Sequence, residues 1–148
     1  MTSAQLEAKY GQPNAAYFSK YCAIWQVHAK YPWFPAKQIY INSDFQAMMD
    51  LSLASVFAAG VSSEILTFDG CFNERDVRGS STALSAHYYA AAMDLNAHLN
   101  GMVLNPTPVQ RTGKWSAAFI KAMCSSGIFF GGNFIHRADP MHWSLADM

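Results

Sequence analysis

The chain has 148 residues, of which 51% are hydrophobic and 14% aromatic, while only 14% are charged against roughly 25% in an average domain. This composition predicts one core-rich domain and excludes a disordered tail or linker. Ten basic and ten acidic residues cancel, and no segment concentrates Lys and Arg, which argues against a nucleic-acid-binding protein.

No segment has the pattern of a signal peptide or a membrane span. The first ten residues include Gln5, Glu7 and Lys9 and lack an apolar core. The most apolar stretch, residues 51–61, is interrupted by serines and falls far short of the roughly 20 residues that a spanning helix needs. We therefore expect synthesis in a cytoplasm without membrane insertion. The three cysteines have no CxxC spacing and are expected to be free, buried thiols.

Three helices are predicted along the chain. The first lies within residues 14–30, where apolar residues recur at intervals of three to four. Residues 43–46 (SDFQ) form a capping-box pattern that predicts a second helix ending at Gly60. The third begins near Ser116 and ends at Gly127.

Short strands are predicted in the gaps between these helices, at residues 64–68, 92–96, 128–130 and 141–145. Gly131-Gly132 has the pattern of a hairpin-like turn. Helices come first, and the strands are then interleaved with one helix. This order predicts an α+β domain in which a small antiparallel sheet packs against two or three helices.

Three residues carry a pattern typical of metal chemistry: His87, Asp94 seven positions later, and His142. Two histidines and a carboxylate are a standard ligand set for catalytic zinc, which keeps a fourth position open for water. On a straight helix His87 and Asp94 would lie roughly 10 Å apart, and on a straight strand they would face opposite sides. The chain must therefore bend between Tyr88 and Ala91. The residue types alone leave open that these histidines are ordinary hydrogen-bonded residues.

Two segments resemble the motifs of a known family. Residues 75–96 (RDVRGSSTALSAHYYAAAMDLN) resemble the SxHxxGxAxD signature of the VanY-like zinc peptidases, which include D-alanyl-D-alanine carboxypeptidases and the L-alanyl-D-glutamate endopeptidases of phage endolysins. Residues 131–134 (GGNF) with 139–143 (DPMHW) resemble the second motif, a Gly-Gly turn followed by D/E-x-x-H and an aromatic residue. Residues 68–73 (FDGCFN) with Arg75 resemble the segment that precedes the first motif in the phage members.

The resemblance extends over about residues 40–145 and implies how the chain is organised. It implies a catalytic core (40–148) that follows an N-terminal helical region (1–39) within a single zinc peptidase domain (1–148).

The resemblance also implies a role for each motif residue. His87, Asp94 and His142 are the expected zinc ligands. Asp139, three positions before the last ligand, is the expected general base that takes a proton from the attacking water. If Asp139 is not the base, Glu64, Glu74 and Asp76 are the carboxylates to consider.

Other residues are expected on the substrate side. Arg75 is expected to steady the developing oxyanion, with Arg78 as the competing residue, and Ser85 is expected to line the substrate side. Aromatic walls are typical of ligand sites, so the cleft is expected to be rimmed by Tyr88, Tyr89, Phe134 and Trp143. Packing in the hydrophobic core remains open as an alternative for all four. Two positions depart from the family pattern: Ala90 stands where the family has glycine, and Ser144 where it often has Glu.

The function expected from this resemblance is that of a phage-type endolysin. Such an enzyme is a zinc-dependent monomer that hydrolyses the L-Ala-D-Glu bond of peptidoglycan stem peptides and reaches the wall after release from the host bacterial cytoplasm. A D,D- or L,D-carboxypeptidase with the same zinc site remains open, for which Arg75, Arg78 or Arg111 could bind the terminal carboxylate. A non-catalytic zinc-fold module that binds the wall or belongs to a phage structure also remains open.

Overall fold

Helices and short antiparallel strands alternate along the chain in the computed structural model, which describes residues 1–73 and 84–147. The α-helices are α1 (Ser3–Tyr10), α2 (Ala15–Tyr21), α3 (Val27–Lys30), α4 (Ser43–Ala58), α5 (Pro108–Arg111) and α6 (Ala117–Cys124). The strands are β1 (Cys22–Trp25), β2 (Ile39–Asn42), β3 (Ala92–Asp94), β4 (Val103–Leu104), β5 (Phe129–Phe130), β6 (Arg137–Ala138) and β7 (His142–Ser144). Single 3-10 turns cover Ser62–Glu64, Ala86–Tyr89 and Gly131–Asn133. The predicted α+β class is confirmed.

The strands form three small antiparallel sheets rather than the single sheet that was predicted. β1 pairs with β2, β4 pairs with β6, and β7 lies between β3 and β5. The β1–β2 pair joins the N-terminal region to the rest of the chain. The three-stranded sheet carries the residues of the predicted metal site.

The core is formed where α4 packs against α6. Helix α4 also packs against β1 and β2, and α6 packs against β5 of the three-stranded sheet. The buried side chains of α4 recur every three to four residues, and those of α6 meet Trp143 of β7. Inside this packing the Ser52 hydroxyl donates to the carbonyl of Met123 at 2.6 Å, which ties the two helices together. Full burial of an apolar side chain such as Val, Leu, Phe or Met stabilises the folded state by roughly 1.5–3 kcal/mol.

Two of the predicted helices are found close to their predicted bounds. α4 begins one residue earlier than the capping-box pattern indicated, because Asn42 and not Ser43 is the cap. The Asn42 Oδ1 accepts from the backbone N–H groups of Asp44 at 2.9 Å and Phe45 at 3.1 Å. α6 has the predicted cap, since the Ser116 hydroxyl accepts from the N–H of Phe119.

The predicted helix within residues 14–30 is wrong in its middle part. Helix α2 ends at Tyr21, and Cys22–Trp25 then form β1, which pairs with β2 along its whole length. The spacing of apolar residues was helical, but pairing with a neighbouring strand overrode this local preference. The predicted strand at residues 64–68 is also wrong, because only Phe68 makes an isolated bridge, to Leu95.

Among the residues that the structure describes, no helix is both long enough and apolar enough to cross a membrane. None of the three cysteines, all of which are described, forms a disulfide: Cys71 is buried, and Cys22 and Cys124 are half-buried.

Asn42→Ala is expected to lower the free energy of unfolding by about 2 kcal/mol, because Asn42 is buried, caps α4 and donates to the Tyr17 hydroxyl at 2.9 Å. Urea denaturation measures the change. Thr107→Ala, which removes the exposed cap of the short α5, is the control and should cost less than about 1 kcal/mol. Equal losses in the two variants would contradict the role given to Asn42.

Candidate metal centre

Two of the three predicted ligands face each other across an antiparallel strand pair. β3 and β7 are in a register that places Asp94 directly opposite His142. Residues in such a pair point to the same face of the sheet with their Cβ atoms about 5 Å apart. As a result, the Nδ1 of His142 lies 3.5 Å from the Oδ1 of Asp94.

The third predicted ligand comes from the 3-10 turn Ala86–Tyr89. The Ser85 hydroxyl caps this turn by accepting from the N–H of His87 at 3.2 Å. At its end Ala90 adopts the left-handed conformation, with φ 50° and ψ 32°, and the chain reverses into β3. This is the bend that was predicted between Tyr88 and Ala91, and it brings the Nε2 of His87 to 3.3 Å from the Oδ1 of Asp94.

Ala90 therefore keeps the positive φ that a glycine would adopt without strain. For a residue with a Cβ this conformation costs roughly 1–2 kcal/mol. Backbone hydrogen bonds on both sides hold it: the N–H of Ala90 donates to the carbonyl of His87, and the N–H of Asn42 donates to the carbonyl of Ala90 at 2.9 Å. The turn therefore forms with alanine at the position where the resemblance expects glycine.

The N-terminal region braces the turn that carries His87. The hydroxyl of Tyr17 donates to the carbonyl of Tyr89 at 2.6 Å, and the hydroxyl of Tyr89 donates to the carbonyl of Gly11 at 3.0 Å. Burial raises the pKa of Tyr17 far above its usual value, so this hydroxyl stays protonated and remains a donor. No residue pattern predicted the brace, because its acceptors are backbone carbonyls.

The orientation of the His87 ring is set by another backbone carbonyl. The Nδ1 of His87 lies 2.8 Å from the carbonyl oxygen of Cys71. A ring nitrogen that faces a carbonyl carries a proton, so Nδ1 is the donor to Cys71 and Nε2 is the nitrogen directed at Asp94. Metal-binding histidines are commonly oriented in this way.

The three side chains fit a metal ion. The side chains of His87 and His142 are only 3% and 5% exposed, and that of Asp94 is 16% exposed. Within the described residues the buried Nε2 of His87, Oδ1 of Asp94 and Nε2 of His142 have no hydrogen-bond partner. One ligand atom from each residue lies within 4.8 Å of the others. Unsatisfied buried donors and acceptors are costly, and a bound cation removes that cost.

Asp94 is ionised in this environment. Burial by itself would raise the pKa of its carboxyl group, but the adjacent His142 and His87 outweigh burial and hold the pKa well below its usual range. A lowered pKa means that the carboxylate stabilises the fold at neutral pH, and that this stabilisation is lost as the pH falls toward the folded-state pKa. The ionised form is also the one that binds metal.

The Gly-Gly motif allows the chain to approach the turn that carries Asp139. The N–H of Asp139 donates to the carbonyl of Gly131 at 2.9 Å, and the N–H of His142 donates to the carbonyl of Asp139 at 3.0 Å. A Cβ on Gly131 would lie 2.4 Å from the Asp139 carbonyl oxygen and 2.8 Å from the Cβ of His142. Only glycine fits there, and the half-buried Asp139 is held in the same turn as His142.

The structure corrects two of the four residues that were expected to rim the cleft. Trp143 is fully buried against Phe130 and Phe119, because it follows His142 on β7 and points to the opposite face of the sheet. The prediction that Trp143 binds substrate is therefore wrong. Tyr89 is also buried and part of the brace.

The other two residues expected at the rim, Tyr88 and Phe134, and the predicted Ser85 all lie among the described residues. Tyr88 is half-buried beside His87. The ring of Phe134 lies 5.6 Å from that of His142. Ser85 is buried and caps the His87 turn, so its expected place on the substrate side stays a prediction.

The predicted arginines have different outcomes. Arg75 and Arg78 lie outside the described residues, as do Glu74 and Asp76. Arg111 is described, and its guanidinium donates to the carbonyls of Gly132 at 3.0 Å, Phe134 at 2.6 Å and Ile135 at 3.1 Å. It anchors the segment that carries Phe134.

Comparison with known proteins adds one finding. Residues 78–145, which contain His87, Asp94, His142 and Asp139, match a family described as D-alanyl-D-alanine carboxypeptidase. The protein is a metallopeptidase. The match covers less than half of the chain. It supports the resemblance to the VanY-like zinc peptidases in general and peptidoglycan as the class of substrate, but it does not identify the bond that is cut. No curated protein and no solved structure matched the chain.

The metallopeptidase is expected to bind one metal ion per chain, and His87→Ala is expected to lose both the ion and the activity, because a ligand deletion weakens the grip on the metal. Elemental analysis after gel filtration measures the metal content. His98→Ala, at an exposed histidine, should keep full metal content. Stoichiometric metal in His87→Ala would show that the ligand set is different.

Proposed function

We propose that this metallopeptidase uses zinc to hydrolyse the L-Ala-D-Glu bond of peptidoglycan stem peptides, as a phage-type endolysin does. The observation that carries the proposal is the buried group of His87, Asp94 and His142, whose donor atoms converge within 4.8 Å. Two histidines and one carboxylate are the protein ligands of many catalytic zinc sites, and they leave one position open.

Asp139 is the proposed general base. When bound, zinc lowers the pKa of water toward about 7 and polarises the scissile carbonyl. Asp139 would take the proton from the attacking water and pass it to the leaving amine. Its place in the same tight turn as His142 supports this role. Arg75 is proposed to stabilise the oxyanion, on the strength of the motif resemblance alone.

The closest alternative is a D,D- or L,D-carboxypeptidase with the same zinc site. The description of the matched family favours it. Against it stands the position of Arg111, one of three arginines proposed to bind the terminal carboxylate, because its guanidinium is engaged by three backbone carbonyls. The resemblance of residues 68–73 to the phage members favours the endopeptidase. A non-catalytic module is not retained, since the matched family is one of peptidases.

The proposed cellular location follows from the proposed endolysin activity. The protein would be made in the host bacterial cytoplasm and would act, as a monomer, on the cell wall after release. Wall stem peptides are its proposed partners. The resemblance to phage endopeptidases supports this setting.

Mass spectrometry of fragments released from purified peptidoglycan separates the two activities. The endopeptidase is expected to leave stem fragments that begin with D-Glu and glycan that ends in L-Ala. A carboxypeptidase would instead release free D-Ala and leave the rest of the stem attached. Release of D-Ala without any D-Glu amino terminus would contradict the proposed bond and support the alternative.

Asp139→Ala is expected to lower the rate of hydrolysis by about 10²- to 10⁴-fold while metal content and melting temperature stay nearly unchanged, because a general base contacts the water and not the ion. The rate of fragment release and the metal content measure this. Asp50→Ala removes a carboxylate from the outer face of α4, where it pairs with Lys30, and should keep full activity. Loss of metal in Asp139→Ala would make Asp139 a ligand, and full activity would remove it from the mechanism.

A further inference from the structure

A concave site that contains none of the three predicted ligands lies near the metal centre. It is a cavity of about 370 Å³ lined by Leu104, Phe129, Asn133, Phe134, Ile135, His136, Arg137 and Asp147. Its walls are largely apolar, and Ile135 and Leu104 are strongly exposed at 81% and 69%. We call it the Arg137 cavity.

One ring separates the Arg137 cavity from a metal ligand. The guanidinium carbon of Arg137 lies 4.2 Å from the centre of the Phe134 ring, and that ring lies 5.6 Å from the ring of His142. Arg137 is held in place by the β4–β6 pair, in which it lies opposite Leu104. The Phe134 ring therefore lines the cavity and also lies next to a ligand of the metal centre.

The charge of Arg137 is available for a ligand. Among the described residues its guanidinium makes neither a hydrogen bond nor an ion pair, and Asp147, which lines the same cavity, does not pair with it. The contrast with Arg111 is direct, because that guanidinium is engaged by three carbonyls of the neighbouring segment. The Phe134 ring holds the Arg137 guanidinium by a cation–π contact, which reduces the entropy lost when an anion binds.

We propose that the Arg137 cavity binds a free carboxylate of the stem peptide, and that Arg137 is a specificity-determining residue for acidic peptides. This inference rests on the proposed function. A guanidinium presents two parallel N–H donors that match the two oxygens of a carboxylate. Stem peptides offer two sources of this group: the α-carboxylate of D-Glu and the carboxyl terminus.

The test uses the full-length, zinc-loaded protein and synthetic stem peptides that differ in one group. One pair carries D-Glu or its α-amide, D-isoglutamine, and the other pair ends in an acid or an amide. Arg137→Gln is expected to lower kcat/KM about 10- to 100-fold on the peptide with the recognised carboxylate, mainly through KM. It should leave the matching amide unchanged. The pair that responds identifies the source of the carboxylate.

Two further variants separate recognition from a structural role. Arg137→Lys keeps the charge but not the paired donors, so it should restore part of the loss. Lys121→Gln removes an exposed positive charge from α6, outside the cavity, and should have no effect on either pair. If Arg137→Gln weakens cleavage of acid and amide equally, in both pairs, Arg137 only supports Phe134 and the proposal is overturned.

A binding measurement keeps this inference separable from the proposed function. Calorimetry with the metal-loaded Asp139→Ala protein reports binding of each peptide without turnover. Tighter binding of one acid peptide than of its amide, lost in the Asp139→Ala Arg137→Gln double variant, supports the Arg137 cavity even if a different bond is cut. Equal binding of acid and amide in both pairs overturns the inference, even if the proposed bond is cut.

Discussion

The antiparallel pairing of β3 with β7 is the constraint on which the rest of the site depends. It places Asp94 opposite His142 and leaves their side chains on one face. Trp143, the next residue of β7, is paired with Met93 and points into the core. The same short strand therefore anchors the hydrophobic core on one side and presents a metal ligand on the other. A slip of one residue would exchange these roles, directing the histidine into the hydrophobic core and the tryptophan toward the other ligands.

The remaining ligand is supplied by a strained turn that other parts of the chain support. Ala90 holds a left-handed conformation, and its carbonyl accepts from Asn42, which also caps α4. Tyr17 connects Asn42 to the carbonyl of Tyr89. One buried network thus joins the N-terminal region, the longest helix and the His87 turn. The packing of the N-terminal region against the core therefore helps to determine the geometry of the metal centre.

Two arginines act in different ways on the segment after the Gly-Gly turn: Arg137 lies within it, and Arg111 contacts it from the end of α5. Arg111 uses its donors on the carbonyls of residues 132, 134 and 135 and so determines where the Phe134 ring lies. Arg137 lies over that ring, makes no hydrogen bond or ion pair with the other described residues, and faces a cavity. A charge engaged by backbone carbonyls shapes the wall of the site, whereas an available charge in an apolar cavity can select a ligand. The sequence analysis predicted that Arg111 could bind the terminal carboxylate of a substrate, and no sequence pattern indicated a role for Arg137.

The sequence by itself determined the α+β class, the helices α4 and α6, and the residue types of the metal centre. It also showed that the chain had to bend between His87 and Asp94, since neither a straight helix nor a straight strand brings them together. These conclusions follow from periodicity and spacing, which are local properties. Only the tertiary structure decided that Cys22–Trp25 form a strand and that Trp143 is buried. It also decided that Cys71 orients His87 through a carbonyl. Each of these depends on which distant segment packs against the residue, and backbone groups have no signature in the sequence.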